Sequence, residues 1–448
     1  MTAKAKPSEE KQNTVTTVSS VVCSFCGSLC DDLEIVVENS MITTVRNGCR
    51  ISNEKYMYAQ KHRITQPFVK SDGVSTPISM DEAIEKLTDL LVNAKRPLIY
   101  GLSTTSVEAI KSCIHVAELT GSVIDNTSCV CHGPSVLGVH NVGLPGSSLG
   151  ETKNRADVII YWGSNPVHAH PRHSSRYSIF ARGTFRQQGR KQRKVIVVDP
   201  RKTESAKMAD LYLQPKPGGD YELIAAIRAM LNGLEIEQEE ISGVSLEDIK
   251  KFIAICKEAN FLMLYFGLGL TMSAGKHRNI DIAISLIRDL NSITKAVLNP
   301  MRGHFNVAGF NRIALWETGY PFAIDFARGY PRYYPGETSS VDMLAVGEPD
   351  LAIIVGSDPV SHFPRDSAKF LANIPTVALN PHHTPTTEVA SLVIPTTMTG
   401  VDSDGTAYRM DGVPLMTRKV VNPPEGVLTD KEIFDKVIEK IQEGKKNE

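Results

Sequence analysis

The chain has 448 residues, which at roughly 100–200 residues per domain suits about three domains and excludes a small module. Lys and Arg number 49 against 50 Asp and Glu, leaving a net charge of −1 and no basic field to hold a nucleic acid by counterion release. With 42% hydrophobic and 22% charged residues the composition is that of a soluble globular protein, and no apolar run approaches the ~18–20 residues that span a bilayer.

In chain order, residues 1–19 are polar, lack the apolar centre of a secretory signal, and read as a disordered tail on a cytoplasmic protein. Cytosolic thiols stay reduced, so clustered cysteines point to metal binding or chemistry. Four of the eight cysteines, Cys23, Cys26, Cys30 and Cys49, follow C-x2-C-x3-C-x18-C. Structural zinc usually draws on two paired knuckles, whereas three close sulfurs with one remote suit a [4Fe–4S] cubane; zinc remains the alternative. Leu33 to Gly48 alternates β-branched residues about Glu38-Asn39-Ser40, the pattern of two strands and a turn, so a small β-rich module should present the cluster. One such cluster passes one electron at a time and implies a second redox centre or a partner.

The next chemistry-bearing segment, Asp125 to Ser135, carries Cys129, Cys131, His132, Gly133 and Pro134 in a turn. A thiolate beside an imidazole is a metal ligand, a nucleophile, or an inert buried pair. Cys113 and Cys256 lie in helical patterns and read as core.

A duplication follows. Asp157-Val-Ile-Ile-Tyr-Trp-Gly-Ser-Asn-Pro and Asp350-Leu-Ala-Ile-Ile-Val-Gly-Ser-Asp-Pro each join a continuous apolar run to a Gly-Ser-Asn/Asp-Pro turn. Each copy continues through a second run (Lys194 to Arg201; Pro375 to His382) and a third (Asp210 to Pro215; Ser391 to Pro395). Runs buried on both faces belong to parallel sheets, and the segments between the first two runs are long enough for crossover helices, so two related doubly wound α/β domains are predicted. Ligands of such sheets bind beyond the carboxyl ends of the strands, where Gly163-Ser164-Asn165, Gly356-Ser357-Asp358, Asp199 and Asn380 fall. A purely structural role for these turns is the alternative. A strand-linked GxGxxG is absent, which argues against an ordinary NAD domain. The histidines of Val167 to His173 lack the spacing of a helical metal pair. Between the copies, Asn299 to Gly309 combines Arg302, His304 and Asn306 with two glycines; Arg302 offers a planar fork for a carboxylate or a CO2-like group.

Taken together, CSFCGSLCDD with Cys49, CHGPS, WGSNP, VDPR, PKPGGDYEL and PMRGHFNVAG resemble the catalytic B subunits of formylmethanofuran dehydrogenases, tungsten or molybdenum enzymes of the molybdopterin oxidoreductase superfamily. The resemblance implies two related α/β domains holding a bis(molybdopterin guanine dinucleotide) cofactor, beside a [4Fe–4S] domain. It divides the chain into residues 20–72 for the cluster, 73–134 with 305–448 for one α/β domain, and 135–304 for the inserted one. Cys131 would be the tungsten or molybdenum ligand, with His132 and Arg302 lining the substrate pocket, His132 as a proton relay. Gly163, Ser164, Asn165, Asp199, Arg201, Gly218 and Asp220 would serve one dinucleotide and Gly356, Ser357, Asp358 and Asn380 the other, with Arg50 or Lys55 bridging cluster and pterin. Implied partners are a ferredoxin-type electron donor, an amidohydrolase-like subunit that receives formate made from CO2, and a small pterin-binding subunit supplying the β-barrel domain that the superfamily usually carries at its C-terminus. The competing readings are a free-standing formate dehydrogenase, a scaffold that has lost its metal, and a zinc-stabilised NAD enzyme.

Overall fold

A computed structural model describes residues 14–71 and 73–447. Two parallel sheets dominate it, built from the apolar runs of the duplication. Val158–Trp162 and Leu351–Val355 are buried along their whole length because helices and loops cover both faces of their sheets. The first sheet runs Leu211–Leu213, Lys194–Val198, Val158–Trp162, Phe261–Phe266, Lys295–Pro300, all parallel. The parallel centre of the second runs Leu392–Ile394, Thr376–Leu379, Leu351–Val355, Pro97–Gly101, Val123–Asn126. The strand order is therefore the same in both, as the duplication predicts. The last two strands of each parallel array occur in a different chain order: Pro97–Gly101 and Val123–Asn126 precede their repeat copy, whereas Phe261–Phe266 and Lys295–Pro300 follow theirs.

The aspartate that opens each copy has a defined task. Asp350 accepts the backbone N–H groups of Lys95 and Arg96 at 2.7 and 2.9 Å, just before the strand Pro97–Gly101. Asp157 accepts those of Asn260 and Phe261 at the matching neighbour. Each carboxylate thereby fastens the neighbouring strand beside the first strand of its copy.

Several boundaries differ from the sequence reading. Residues 1–13 of the expected tail lie outside the described residues, but Val15–Val21 is a strand pairing with Leu33–Glu38, which pairs in turn with Met41–Arg46. The expected two-strand cluster module thus has three strands. Phe68–Ser71, assigned to that module, instead extends the second sheet at its Leu392–Ile394 edge. Between the first two strands of the first copy the crossover contains only four-residue helices, Pro166–Ala169 and His173–Arg176, because prolines and polar turns interrupt it. The C-terminal segment forms the helix Asp430–Asn447, whose Ile433, Phe434, Val437 and Ile441 are buried in the core beneath the second sheet. Among the described residues no helix is long and apolar enough to cross a membrane.

Replacing Asp350 by Ala should hand two exposed backbone donors to water and cost ~1 kcal/mol, measurable as a lower midpoint of chemical denaturation.

Candidate active site

The equivalent last strands of the two parallel arrays end in the two loops that matter most. Val123–Asn126 leads into Cys131, and Lys295–Pro300 leads into Arg302. The loops meet: Arg302 Nη1 donates to Asn311 Oδ1, and Asn311 also bonds the Ser128 hydroxyl and the Pro321 carbonyl. Asn311, which sequence reasoning missed, therefore ties the Cys131 loop to the Arg302 loop.

Burial pushes the Cys131 thiol up to about 11, while Arg302 draws it down. Burial and Arg312 lower Arg302 to about 10, and Cys131 opposes this. The thiol thus waits protonated beside a guanidinium, and a soft metal would displace its proton. His132 is placed differently from expectation. It is buried, its Nδ1 lies 2.8 Å from the Ser135 hydroxyl and its Nε2 3.2 Å from the Met301 carbonyl, so both nitrogens are occupied by the protein. The Met301 carbonyl can only accept, which puts the ring proton on Nε2 and makes Nδ1 an acceptor. Burial and Arg302 hold the imidazole down at about 3. The expected relay by a residue titrating near neutral pH does not match this geometry: His132 is a neutral strut fixing the Met301–Arg302 backbone.

Two grooves flank these loops. The first, about 610 Å3, is lined by Cys131, the turn Gly163-Ser164-Asn165, Asp199, Arg201, His170, Thr203 and His304. The second, about 640 Å3, is lined by Gly356, Asn380, Thr104, Lys55, Asp430 and again His304. The two turns repeat each other closely: Gly163 and Gly356 both have φ +55°, and Asn165 and Asp358 have φ −118° and −132°. A positive φ suits glycine there, and a Cβ on Gly163 would lie 2.5 Å from Leu270 N, so the Gly267-Leu268-Gly269 turn can close on it. Of the remaining predicted residues, Asp220 accepts the Trp162 indole N–H, Gly218 forms a turn before the helix Asp220–Leu231, and neither lines the first groove. Ser357 and Asp358 do not line the second; Asp358 is engaged by Thr386 and Ser361.

Four lining residues each have a buried polar atom without a protein partner: His170 Nδ1 and Thr203 Oγ1 on the first groove, His382 Nε2 and Asp430 Oδ1 on the second. Unpaired buried polar groups are costly. A ligand rich in N–H and carbonyl groups, such as a pterin or guanine, fits both grooves in that respect.

The four cysteines come together at the foot of the same loops. Burial pushes the Cys23 thiol well above its ordinary value, with proximity to Cys26, Cys30 and Cys49 adding to the rise. Cys49 caps the helix Arg50–Tyr58, with its N–H on Ser52 Oγ at 2.7 Å. Four thiols with no other donor among them are a set that either an iron–sulfur cubane or zinc would accept; among the described residues, no three His, Cys, Asp or Glu are arranged to hold a single metal ion. Gly27, between Cys26 and Ser28, is pressed onto the Arg302 loop: its N–H bonds the Gly303 carbonyl at 3.0 Å, and a Cβ would lie 2.3 Å from the Arg302 carbonyl oxygen. Of Arg50 and Lys55, Lys55 lies over the Phe25 ring beside Cys26 and reaches the second groove.

The molybdopterin oxidoreductase family profile matches residues 63–440. The chain belongs to that family. It is 52% identical over 96% of its length, and 99% of the relative's, to the B subunit of the tungsten-containing formylmethanofuran dehydrogenase 2 of Methanocaldococcus jannaschii. It is 25% identical to Escherichia coli formate dehydrogenase H, over 93% of this chain and 67% of that one. Among solved structures, the formyltransferase/hydrolase complex of Methylorubrum extorquens matches with a TM-score of 0.69 at 21% identity, covering 84% of this chain and 99% of the other. Acetylene hydratase of Pelobacter acetylenicus matches at 0.71 and 15%, covering 95% and 69%. At those identities the structural likeness speaks for the fold alone.

Gly27→Ala should displace the Arg302 carbonyl, lowering stability by ~1–3 kcal/mol in chemical denaturation and turnover of the folded enzyme by ~10²-fold. His132 binds its proton in the unfolded chain near pH 6.5 and in the folded chain only near 3, so it removes stability as pH falls through that window. His132→Gln, which keeps an N–H for the Met301 carbonyl, should flatten the pH dependence of unfolding by up to ~1.4 kcal/mol per pH unit between about pH 6 and 4.

Proposed function

We propose that this chain is the catalytic subunit of a formylmethanofuran dehydrogenase, reducing CO2 to formate with two electrons and one proton, and running the oxidation in reverse. The observation that carries the reading is 52% identity across nearly the full length of both chains. The geometry supports it, because Cys131 opens onto one of two paired grooves beside a four-cysteine module. A formate dehydrogenase releasing its product to solution would use the same residues, but this chain spans only about two thirds of such relatives against 99% of the first.

When bound, a tungsten or molybdenum bis(molybdopterin guanine dinucleotide) supplies two-electron exchange with the C1 unit. The Cys131 thiolate would be its protein ligand. Gly163, Ser164, Asn165, Asp199 and Arg201 would hold one dinucleotide, with Gly218 and Asp220 behind them; Gly356 and Asn380 would hold the other, with Ser357 and Asp358 shaping the turn. Cys23, Cys26, Cys30 and Cys49 would hold the [4Fe–4S] cluster, and Lys55 would stand between it and the second groove. Arg302, swung from Asn311, donates to the oxygens of CO2 or formate, a stabilisation worth most where water is excluded. His132 keeps the Arg302 backbone in place from behind. Electrons would come from a ferredoxin-type protein in the cytoplasm. Formate would pass to an amidohydrolase-like subunit, and a small pterin-binding subunit would cover the grooves.

Anaerobic purification of the complex from native cells, followed by elemental analysis, should find about one tungsten or molybdenum and at least about four iron per copy of this chain. Zinc without these metals would sink the proposal. Arg302→Ala should lower formylmethanofuran oxidation with a viologen acceptor by ~10²-fold at unchanged metal content. Free formate accumulating stoichiometrically would move the assignment to a formate dehydrogenase.

A further inference from the structure

Immediately after Cys30 stand two carboxylates, an unexpected choice beside a centre that must accept an electron. Cys30 and Cys23 are joined by a 2.8 Å backbone hydrogen bond, so Asp31 and Asp32 leave the cysteine loop directly from its tightest point. Neither carboxylate is left alone. Arg172 forks onto Asp32 with Nη1 and Nη2 at 2.6 and 2.7 Å. Arg176 pairs with both Asp31 and Asp32, and its Nε donates to the Tyr177 hydroxyl at 3.0 Å. All four side chains are partly shielded, with the arginines about one-fifth exposed.

The arginines belong to a different unit. Arg172 precedes and Arg176 ends the short helix His173–Arg176 in the segment that follows the Gly163-Ser164-Asn165 turn. In the same segment His170 Nε2 lies 2.8 Å from the Arg302 carbonyl. The ion pairs therefore bridge the cysteine loop to the stretch of chain that links the first groove to the Arg302 loop. A planar guanidinium on a carboxylate in two-point contact fixes orientation as well as distance.

We infer that Asp31, Asp32, Arg172 and Arg176 form a charge-neutral latch that seats the cysteine loop on the first-sheet domain and sets the reduction potential of the cluster held there. This rests on the reading that the four cysteines hold a [4Fe–4S] cluster. A four-thiolate cubane gains one negative charge on reduction, so a nearby carboxylate opposes that step and a nearby guanidinium favours it. Two of each make the latch neutral overall, and Arg172, Arg176 and Asp32 all act on the adjacent Cys30, the guanidiniums more strongly than the carboxylate. Removing one sign exposes the other, and the two removals act in opposite directions. These four are positioning residues and touch no substrate.

The test is an EPR-monitored redox titration of the anaerobic holoenzyme, following the signal that a Cys49→Ser holoenzyme lacks. Asp32→Asn should raise the midpoint potential, Arg172→Gln should lower it, and the double variant should return close to wild type. A latch that acted only by packing would move both single variants the same way or neither, at wild-type iron content, and that result overturns the inference. Arg172→Lys keeps the charge and loses the fork; it should hold the wild-type potential while losing iron faster to a chelator, and a potential like that of Arg172→Gln would refute the charge account. A wild-type holoenzyme whose cubane signals all survive Cys49→Ser, with no iron on this chain, would instead overturn the cluster reading on which the inference stands.

Discussion

The absence of a side chain at Gly27 is the constraint on which the centre of this molecule depends. Its backbone lies so close to the Arg302 carbonyl that even a methyl group would overlap it. The cysteine loop, the Arg302 loop and, through His132 and His170, both the Cys131 loop and the first-sheet segment are held by main-chain atoms of three consecutive residues, Met301 to Gly303. Backbone contacts of this kind cannot relax by changing rotamer. A shift in one loop is therefore passed to the others, which is what a site assembled from three separate units needs if its groups are to stay in register.

Symmetry explains why the units meet there. Both sheets have the same strand order, so the ends of Val123–Asn126 and Lys295–Pro300 are equivalent places, and the thiol of one and the guanidinium of the other face a common centre. The grooves to either side repeat the same glycine turn with almost the same dihedral angles. One polar environment is common to the whole centre. Buried imidazoles at 132, 170 and 173 are all pushed down, to about 3, 4 and 3, mainly by loss of water, so they act there as neutral hydrogen-bonding groups rather than as charges. Positive charge beside Cys131 comes from Arg302, which stays charged near neutral pH despite burial.

Much was legible beforehand because it rests on local pattern. The runs Val158–Trp162, Lys194–Val198, Leu351–Val355 and Thr376–Leu379 are continuous apolar stretches, and a strand covered on both faces allows nothing else. The hairpin after Cys30 followed from alternation about a polar turn. The third strand of that module did not, since Val15–Val21 is mostly exposed and carries serines and threonines that read equally as tail. Nor could the equivalence of Val123–Asn126 and Lys295–Pro300 be read from the duplication, because their order relative to the repeat is permuted and a comparison at fixed offset passes over them.

The amino-acid sequence by itself determined the class of the fold, the duplicated glycine turns, the four grouped cysteines and the placing of Cys131 and Arg302 in turns, because each depends on residue type and near-neighbour spacing. Only the tertiary structure decided what those groups face. It closed both nitrogens of His132 with Ser135 and Met301, drew Asn311 between the two central loops, chose Lys55 over Arg50 for the place beside Cys26, and set Arg172 and Arg176 against Asp31 and Asp32. Those contacts join residues far apart in the chain, and their partners follow from how the sheets and loops pack rather than from any signal carried by the segments themselves.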